Sequence, residues 1–494
     1  MPQTISRLLP TRRPLPAILL LATFALAACA PGGTTHIYYD VVKGFFEKPA
    51  DAVVTDEMLA ARPFAYIEAR LGDGPQSVLV LGWQDDGEDK WVSAGNEMLV
   101  LRHGRVVRTL GLPIDRLHTA SAEVDPLAQA ASGASLDGKE WRSTLDWAGV
   151  HGAGFQARSE FRDHGIEAVA LRAGQTLQLR RVEELVTLRP AGLEYSNWFY
   201  LDGDGTVLKS RQILHPDLDP LTLVVVRPPA EAAPVPSQAS VPAEDEADNT
   251  RVRLTLADGR RILLPPGPRR LSEVLLSSGN SSEIWWPAAR LYRTDAARQH
   301  EARASRDALI AELEALAAKA EQRGRSARAA SLRDRLESLP PTPPGEPLVT
   351  VLDPDRLRLT PALDVLLPPG EYLLVAPTRP ETLTLAGLVE HPGERGFVPG
   401  RNIAAYLATE PRTPGADRDH VWLLQPDGSA EPSPVAHWNR EHALPLPGAT
   451  FLVGLSSRGW GRPVEALNRE LATLYAAQPM APMADALRAA EVTR

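Results

Sequence analysis

The sequence contains almost no cysteine, since Cys29 is the only one in 494 residues. With a single thiol no internal disulfide can form, so each folded unit depends on its own hydrophobic core. Basic residues are also fewer than acidic ones, 53 Lys and Arg against 62 Asp and Glu, which gives a formal net charge of −9. Nucleic-acid-binding domains present a basic stripe. The acidic balance therefore argues against a nucleic-acid partner.

A short apolar run near the N terminus is typical of a cleaved secretory signal. Three arginines precede the run, which extends from Ala17 to Ala28. Twelve residues are too few for a permanent helix across a hydrocarbon core of ~30 Å, which needs about 20. The segment Leu26-Ala27-Ala28-Cys29 resembles a bacterial lipobox. We therefore expect residues 1–28 to be removed as a signal peptide, which changes the net charge to −12, and Cys29 to carry a lipid.

The expected location follows from the residue after the lipidated cysteine. Ala30 stands where an inner-membrane retention signal would place Asp. By resemblance to enterobacterial lipoprotein sorting, this predicts the outer membrane, with the protein on its periplasmic face. No other apolar run approaches membrane-spanning length. The lipid is thus the expected anchor.

Residues 29–227 alternate between apolar and polar side chains as β strands do. Met98–Leu101 and Arg105–Arg108 flank His103-Gly104, which predicts a hairpin. Residues 198–201 and 206–208 flank the turn Asp202-Gly203-Asp204-Gly205. A calcium-binding loop needs Gly at its sixth position and Glu at its twelfth, and these positions hold other residues here. We therefore predict an antiparallel β-barrel or sandwich-like domain with hairpin turns.

The composition changes at residues 228–249, which are rich in Pro, Ala and Glu. Such a segment has too few large apolar side chains to bury a core. It predicts a semi-extended linker between two independent parts.

Residues 250–378 begin with a hairpin, followed by a short helix at 271–276 and a strand at 283–286, an order that fits a β-grasp domain. Between residues 294 and 338 the apolar period becomes 3.6, interrupted at Gly324, which predicts a helical hairpin insert. Such an insert is either a partner-binding arm or a solvated insertion. Strand patterns resume at residues 349–352.

The remaining sequence repeats this strand, turn and helix pattern. Residues 379–458 predict a second β-grasp domain, and residues 459–494 a C-terminal amphipathic helix and tail. The helical stretch, Pro463 to Ala477, spans roughly 22 Å and is too short to cross a membrane. Packing on its own domain is the simpler interpretation, with docking on a partner as the alternative.

The first part resembles a known family of lipoproteins. The lipobox, the strand Tyr195–Tyr200, the Asp-Gly turn and the segment Ser210-Arg211-Gln212 are similar to the group 4 capsule polysaccharide lipoprotein family, GfcB/YjbF. Residues 251 to the end resemble the capsule biosynthesis family GfcC/YjbG. That resemblance lies in Asp353–Arg358, the closing strand that begins with Gly370-Glu371-Tyr372, the Arg379-Pro380 junction and the helical insert.

The two families are usually encoded as separate neighbouring proteins, so this chain resembles their fusion. The resemblance implies two β-grasp domains of the SLBB-like kind found in outer-membrane polysaccharide exporters, with an amphipathic C-terminal helix. It also implies a role in assembly or secretion of a capsule or exopolysaccharide. The expected partners are the polysaccharide, the outer-membrane export machinery, or both. The short tail departs from the family pattern and argues against a pore-forming role.

No sequence pattern identifies an active site. A Gly-x-Ser-x-Gly elbow, a His-Glu-x-x-His zinc motif and a phosphate-binding Gly-rich loop are all missing from the sequence. Asp353 and Asp355 have the residue type of a glycosidase pair, but their spacing around Pro354 favours a turn. We therefore expect no catalytic residues, no metal site and no cofactor.

Four residues are candidates for contact with a glycan or a partner. Trp285 and Trp286 offer indole surfaces that stack on sugar rings when exposed, although neighbouring strand residues face opposite sides and at least one is expected in the core. Arg356 and Arg358 share a face if the segment is extended, and can hold an acidic sugar by bidentate hydrogen bonds. A structural salt bridge is the competing interpretation for each arginine.

The sequence therefore predicts a lipid-anchored, non-catalytic accessory protein of capsule or exopolysaccharide assembly or export, which binds glycan or the export machinery. Two alternatives stay open. One is a periplasmic enzyme that modifies the polysaccharide, and the other is a purely structural tether in the envelope.

Overall fold

The computed structural model describes residues 51–479 with several gaps. The gaps are residues 131–132, 150–151, 173, 230–249, 280–283, 349, 438–442 and 461. The predicted signal peptide, Cys29 and almost all of the predicted linker lie outside the described residues. Within the ranges that are described, no helix is both long and apolar enough to cross a membrane.

The first part of the described chain forms one antiparallel sheet of twelve strands, with two short helices, α1 (Asp56–Ala61) and α2 (Pro126–Ala130). The strands are β1 Tyr66–Leu71, β2 Gln76–Asp85, β3 Glu88–Ser93, β4 Met98–Arg102, β5 Arg105–Leu110, β6 Arg116–Ala120, β7 Glu140–Trp147, β8 Phe155–Arg172, β9 Gln175–Arg189, β10 Leu193–Leu201, β11 Val207–Gln212 and β12 Leu221–Arg227.

The strand order brings the two edges of this sheet together. The order is β5-β4-β3-β2-β1-β12-β11-β10-β9-β8-β7-β6, so the edge strands β5 and β6 follow each other in the chain. Thr119 Oγ1 on β6 donates a hydrogen bond of 2.9 Å to the Val107 carbonyl on β5. Arg116 N donates one of 2.9 Å to Thr109 Oγ1. The sheet thus curls into a nearly closed barrel, which leaves little free edge and confirms the predicted fold class.

Alternation along the strands explains which side of this sheet is buried. On β10, Asn197, Phe199 and Leu201 are buried, whereas Trp198 and Tyr200 between them are partly exposed. Both hairpins predicted from the sequence are present, β4–β5 and β10–β11.

The barrel core also contains a paired charge. The Arg105 side chain is 5% exposed, and its Nη1 lies 2.8 Å from Glu184 Oε2 while its Nε lies 2.5 Å from Asp125 Oδ2. The guanidinium stacks over the Trp141 ring at 4.4 Å. A buried cation needs such partners, because its desolvation is otherwise uncompensated.

The second part opens with a five-stranded sheet in the order β14-β13-β19-β16-β17, accompanied by a two-stranded ladder of β15 and β18. The elements are β13 Arg251–Leu256, β14 Arg261–Pro266, β15 Arg269–Arg270, α3 Leu271–Leu276, β16 Arg290–Arg293, β17 Glu346–Pro347, α6 Pro354–Leu359, β18 Leu366–Leu367 and β19 Gly370–Val375. The first and last strands of this sheet, β13 and β19, are parallel neighbours at its centre. This is the strand order of a β-grasp domain.

The second sheet repeats that order as β21-β20-β24-β22-β23. Its elements are β20 Thr382–Gly387, β21 Gly393–Gly396, α7 Ile403–Leu407, β22 His420–Leu424, β23 Ala430–Pro434, β24 Thr450–Val453 and the final helix α8 Glu465–Ala476. Again the first and last strands, β20 and β24, pair in parallel. Two β-grasp units therefore follow each other.

The predicted helical insert consists of α4 (Ala296–Gln322) and α5 (Ser326–Glu337), between β16 and β17 of the first unit. Its apolar face is neither a free arm nor a solvated surface. Leu313, Leu316 and Leu332 are buried in one core with residues of the second sheet, such as Phe451. Helix α8 joins the same core through Leu467, which agrees with packing on its own domain.

The strand predicted at residues 283–286 is wrong for the residues that are described. Ile284 and Trp285 form no regular element, and Trp286–Ala288 form a 3-10 helix. Pro287 has no backbone N–H to donate to a strand, so a short turn is favoured instead. The strand predicted at 349–352 is also wrong over residues 350–352, which are irregular.

Candidate functional site

A cavity of about 560 Å³ lies between the barrel and the two β-grasp units. The barrel contributes side chains from strands β3 to β6, and the first β-grasp unit contributes the segment around Trp285 and helix α6. The second β-grasp unit contributes Asp427, Ser429 and Leu446. This volume lies within the range of small-molecule sites, about 300–1,000 Å³. The cavity therefore has room for a ligand that touches both parts of the chain.

One wall is formed by the two adjacent tryptophans. Both indoles are buried, with Trp285 1% and Trp286 8% exposed, so the prediction of an exposed stacking surface is wrong. The turn at Pro287 directs both rings inward, where each lines the cavity. Trp285 Nε1 donates to Asp146 Oδ2 at 3.3 Å. Trp286 Nε1–H has no hydrogen-bond partner in the part of the chain that the structure describes.

Helix α6 supplies another part of the lining. Asp353 caps the helix, because its Oδ1 accepts a hydrogen bond of 3.1 Å from Asp355 N, and Pro354 occupies the first turn. The prediction of an extended segment is therefore wrong. Arg356 and Arg358 are two positions apart on a helix and so do not share a face. Arg356 is exposed at the cavity and Arg358 is not part of its lining.

The carboxylates of α6 are held by cations from the barrel. Lys90 Nζ, whose side chain is 1% exposed, lies 3.0 Å from Asp355 Oδ1. Arg108 Nη1 lies 3.1 Å from Asp355 Oδ2, and Arg108 also pairs with Asp353. Buried charges are stable only when they are paired in this way. Both carboxylates are therefore engaged in structural ion pairs.

Arg358 completes this network, as the salt-bridge interpretation predicts. Its Nη1 lies 2.8 Å from Asp85 Oδ2 and 3.2 Å from Asp355 Oδ1. Burial acts to raise the pKa of Asp85, but Lys90 and Arg358 outweigh it and leave that pKa below its usual value. Burial also acts to lower the pKa of Arg108, whereas Asp353 and Asp355 raise it overall.

His118 on β6 is the titratable group that distinguishes this cavity. Burial, opposed by Asp146 and reinforced by Arg108, lowers the pKa of His118 to about 4. Its imidazole is therefore neutral at pH 7, with one donor and one acceptor nitrogen. Neither nitrogen has a hydrogen-bond partner among the residues that are described. A neutral ring of this kind can exchange hydrogen bonds with hydroxyl groups.

Glu88 is a further, partly buried acid in the lining. Burial raises the pKa of Glu88, against the opposing effect of Arg102. Its Oε1 lies 2.6 Å from Arg102 Nη2. The cavity thus combines paired charges with the uncharged donors of Trp286 and His118. Over the described ranges, no group of three or more His, Cys, Asp or Glu side chains is placed to hold a metal ion.

Three of the four candidate contact residues chosen from the sequence line this cavity, namely Trp285, Trp286 and Arg356. Sequence reasoning missed the barrel side chains Lys90, Arg108 and His118. These lie on three different strands and form no motif in the sequence. Alternation indicates which face of a strand is buried, but it carries no information on what packs against the outer face. Cys29, the predicted lipidation site, lies outside the described residues.

Three protein families match the chain, in the order expected from its parts. The group 4 capsule polysaccharide lipoprotein family, gfcB and YjbF, matches residues 39–226. The capsule biosynthesis GfcC N-terminal family matches residues 252–378, and the GfcC C-terminal family matches residues 391–479.

Individual relatives agree with these matches. The Escherichia coli (strain K12) protein YjbG is 35% identical over 203 residues, which cover 40% of this chain and 78% of YjbG. The lipoprotein GfcB of the same organism is 30% identical over 216 residues, which cover 42% of this chain and 98% of GfcB. The crystal structure of the hypothetical lipoprotein YmcC from Escherichia coli K12 is similar at 26% identity and a TM-score of 0.33, covering 41% of this chain and 99% of that one.

Proposed function

Because this chain belongs to both the group 4 capsule polysaccharide lipoprotein family and the capsule biosynthesis GfcC family, we propose that it is a lipid-anchored accessory protein of capsule or exopolysaccharide assembly or export. In this proposal it is anchored to the outer membrane through Cys29, faces the periplasm and is not a catalyst. Its task is to bind a short stretch of the glycan while the export machinery moves the polymer.

The observation that carries the glycan-binding part is the composition of the cavity between the barrel and the two β-grasp units. Ile284 and Val351 provide apolar surface in the lining, and the uncharged N–H groups of Trp286 and His118 are free to bond to hydroxyl groups. Sugars present this combination of apolar ring faces and hydroxyl edges. Ligand sites of this kind combine apolar walls with a few well-placed polar groups.

The same geometry argues against hydrolysis of the glycan. A glycosidase needs one carboxylic acid to protonate the leaving group and one carboxylate as base or nucleophile. In this cavity Asp353 and Asp355 are engaged by Arg108 and Lys90. Both carboxylates are therefore occupied by structural contacts that hold helix α6 against the barrel.

The direct test is isothermal titration calorimetry of the mature chain with defined fragments of the polysaccharide from the same cell. We expect saturable binding. Trp286→Phe keeps most of the ring packing but removes the indole N–H, and it should weaken binding about two- to tenfold. Trp422→Phe, in the second β-grasp sheet, is the matched control and should bind as the original chain does. Absence of saturable binding, or equal loss in both variants, contradicts a glycan site in this cavity.

A deletion in the producing cell tests the role in export. Polymer of normal length that accumulates in the periplasm supports an export accessory. Surface polymer of altered length indicates instead an enzyme that modifies the glycan. No change in the amount, place or length of the polymer contradicts the proposal.

A further inference from the structure

Two groups of buried ion pairs connect the barrel to the β-grasp part of the chain. The first is the network in which Lys90 and Arg108 of the barrel contact Asp355 of helix α6. The second is centred on Asp146 of β7, whose side chain is fully buried. Arg379 Nε lies 2.6 Å from Asp146 Oδ2, and Arg379 Nη2 lies 2.9 Å from Asp146 Oδ1. This bidentate arrangement is the strong form of an arginine–carboxylate contact.

Apolar contacts continue the first group across the barrel wall. Leu359, at the end of α6, is 9% exposed and packs with barrel residues that include Met98, Val107 and Leu110. The Arg358 guanidinium lies 4.9 Å from the centre of the Trp83 ring. Side chains of α6 therefore fill an apolar patch on the outside of strands β2 to β5.

A close backbone approach accompanies the second group. At Gly154, with φ of +81°, a Cβ atom would lie 2.7 Å from Phe397 Cε1 of the second β-grasp unit. That distance is below van der Waals contact, so only glycine fits there. The barrel loop is thus shaped to accept the β-grasp part.

We infer that the barrel and the β-grasp part bind each other even without a covalent link, so that residues 230–249, the predicted linker, are dispensable for their assembly. We call these contacts the docking interface, defined by Lys90, Arg108 and Asp146 of the barrel with Asp355, Leu359 and Arg379 of the β-grasp part. Arginine anchors that pair with buried carboxylates are a feature of protein–protein interfaces.

The relatives provide a second line of support. GfcB of Escherichia coli is matched over 98% of its length by 42% of this chain, so a barrel-type chain exists without the β-grasp part. A barrel surface with buried charges in this chain requires a partner that neutralises them. The partner that fits is a chain of the GfcC type carrying the equivalents of Asp355 and Arg379.

The test uses the mature chain with a protease recognition sequence inserted at residues 230–249. After cleavage, we expect both fragments to elute together from a sizing column at the mass of the intact chain. Separate elution of two folded fragments overturns the inference. Precipitation of either fragment on cleavage overturns it as well, because a stable complex would protect both.

Substitutions in the same cleavable chain locate the contact. Arg379→Ala leaves Asp146 buried with no cation and should weaken association of the fragments at least about 100-fold. Arg379→Lys should have an intermediate effect, since it retains the charge but not the bidentate hydrogen bonding. Arg142→Ala, on an arginine whose side chain is 67% exposed, is the matched control and should change nothing.

Folding must be separated from docking in these variants. Before cleavage, the linked Arg379→Ala chain should retain the circular dichroism spectrum of the original, because the linker keeps the two parts together at high effective concentration. Equal fragment affinity in Arg379→Ala and Arg142→Ala would overturn the assignment of this contact. None of these measurements involves glycan, so they succeed or fail independently of the proposed function.

Discussion

Replacement of His118 by glutamine should change how the stability of the protein depends on pH. The imidazole lies in the cavity wall near Arg102, Arg108 and Arg379, all of which disfavour its protonation, and near Asp146, which favours it. Burial is the largest influence, and the resulting pKa is about 4. In the unfolded chain the pKa is near 6.5.

The sign of the effect follows from which state binds the proton more tightly. Because the folded pKa of His118 is below the unfolded one, this residue has almost no effect at pH 7.5 and increasingly favours unfolding as the pH falls toward 4. Linkage gives a loss in the free energy of unfolding of about 1.4 kcal/mol at pH 5.5 and about 2.5 kcal/mol at pH 4.5, relative to pH 7.5. Glutamine does not titrate, so the variant lacks this loss.

The assay is urea unfolding of both proteins at pH 7.5, 5.5 and 4.5. Other groups that titrate in this window, such as Glu88, are present in both proteins and cancel in the difference. We expect the difference between the proteins to grow by about 2.5 kcal/mol in favour of His118→Gln as the pH falls to 4.5. If both proteins lose stability in parallel, the description of His118 as a buried neutral group is refuted.

Two further substitutions test how the second β-grasp unit is held. Asn468→Leu should lower the free energy of unfolding by about 2–4 kcal/mol in urea, because it leaves the buried N–H and C=O of Leu455, each bonded at 2.8 Å, without partners. Gly415→Ala should lower the melting temperature more than Gly259→Ala does: both glycines have positive φ, but a Cβ at 415 would lie 2.4 Å from Trp460 Cζ2 and one at 259 meets nothing within 4 Å. Equal shifts for the two alanines would show that backbone strain alone, and not the packing of Trp460, decides the cost.

The fold could be predicted largely because its signals are local. The alternation of apolar and polar residues identified hairpins such as β4–β5, and the change to an apolar spacing of 3.6 residues identified the helical insert. The packing of that insert could not be predicted, because Leu313 and Leu332 show only that one face is buried and not which surface covers it. The strand predicted at Trp285-Trp286 failed for a related reason: two adjacent apolar residues fit a strand or a buried turn equally well, and Pro287 favours the turn.

Only the residues that the first β-grasp unit contributes to the candidate site could be predicted from the sequence. Trp285 and Trp286 stand out in the sequence as adjacent indoles, and Arg356 stands in a segment that resembles a family pattern. His118, in contrast, stands in an ordinary strand. Its role depends on three-dimensional contacts between residues more than 200 positions apart, such as Lys90 with Asp355. Sequence spacing carries no information on such contacts between distant segments of the chain.

Under the proposed function, the charge balance of the cavity limits which glycans can bind there. Among the lining residues that are described, Lys90, Arg102 and Arg108 each have a carboxylate partner, while Arg356 has none and Asp427 has no cation within ion-pair distance. One free cation and one free anion remain, and both are exposed. Exposed charges of this kind contribute about 0.2–1 kcal/mol, or roughly a 1.4-fold to fivefold change in affinity.

Discrimination between acidic and neutral sugars should therefore be modest and should weaken with salt. Arg356→Ala is expected to lower affinity for an acidic fragment, whereas Asp427→Asn is expected to raise it, and neither should affect a neutral fragment of the same length. Calorimetry with the two fragments separates these effects. A large loss for the neutral fragment in Arg356→Ala would mean that this arginine shapes the cavity, and that charge is not what it contributes.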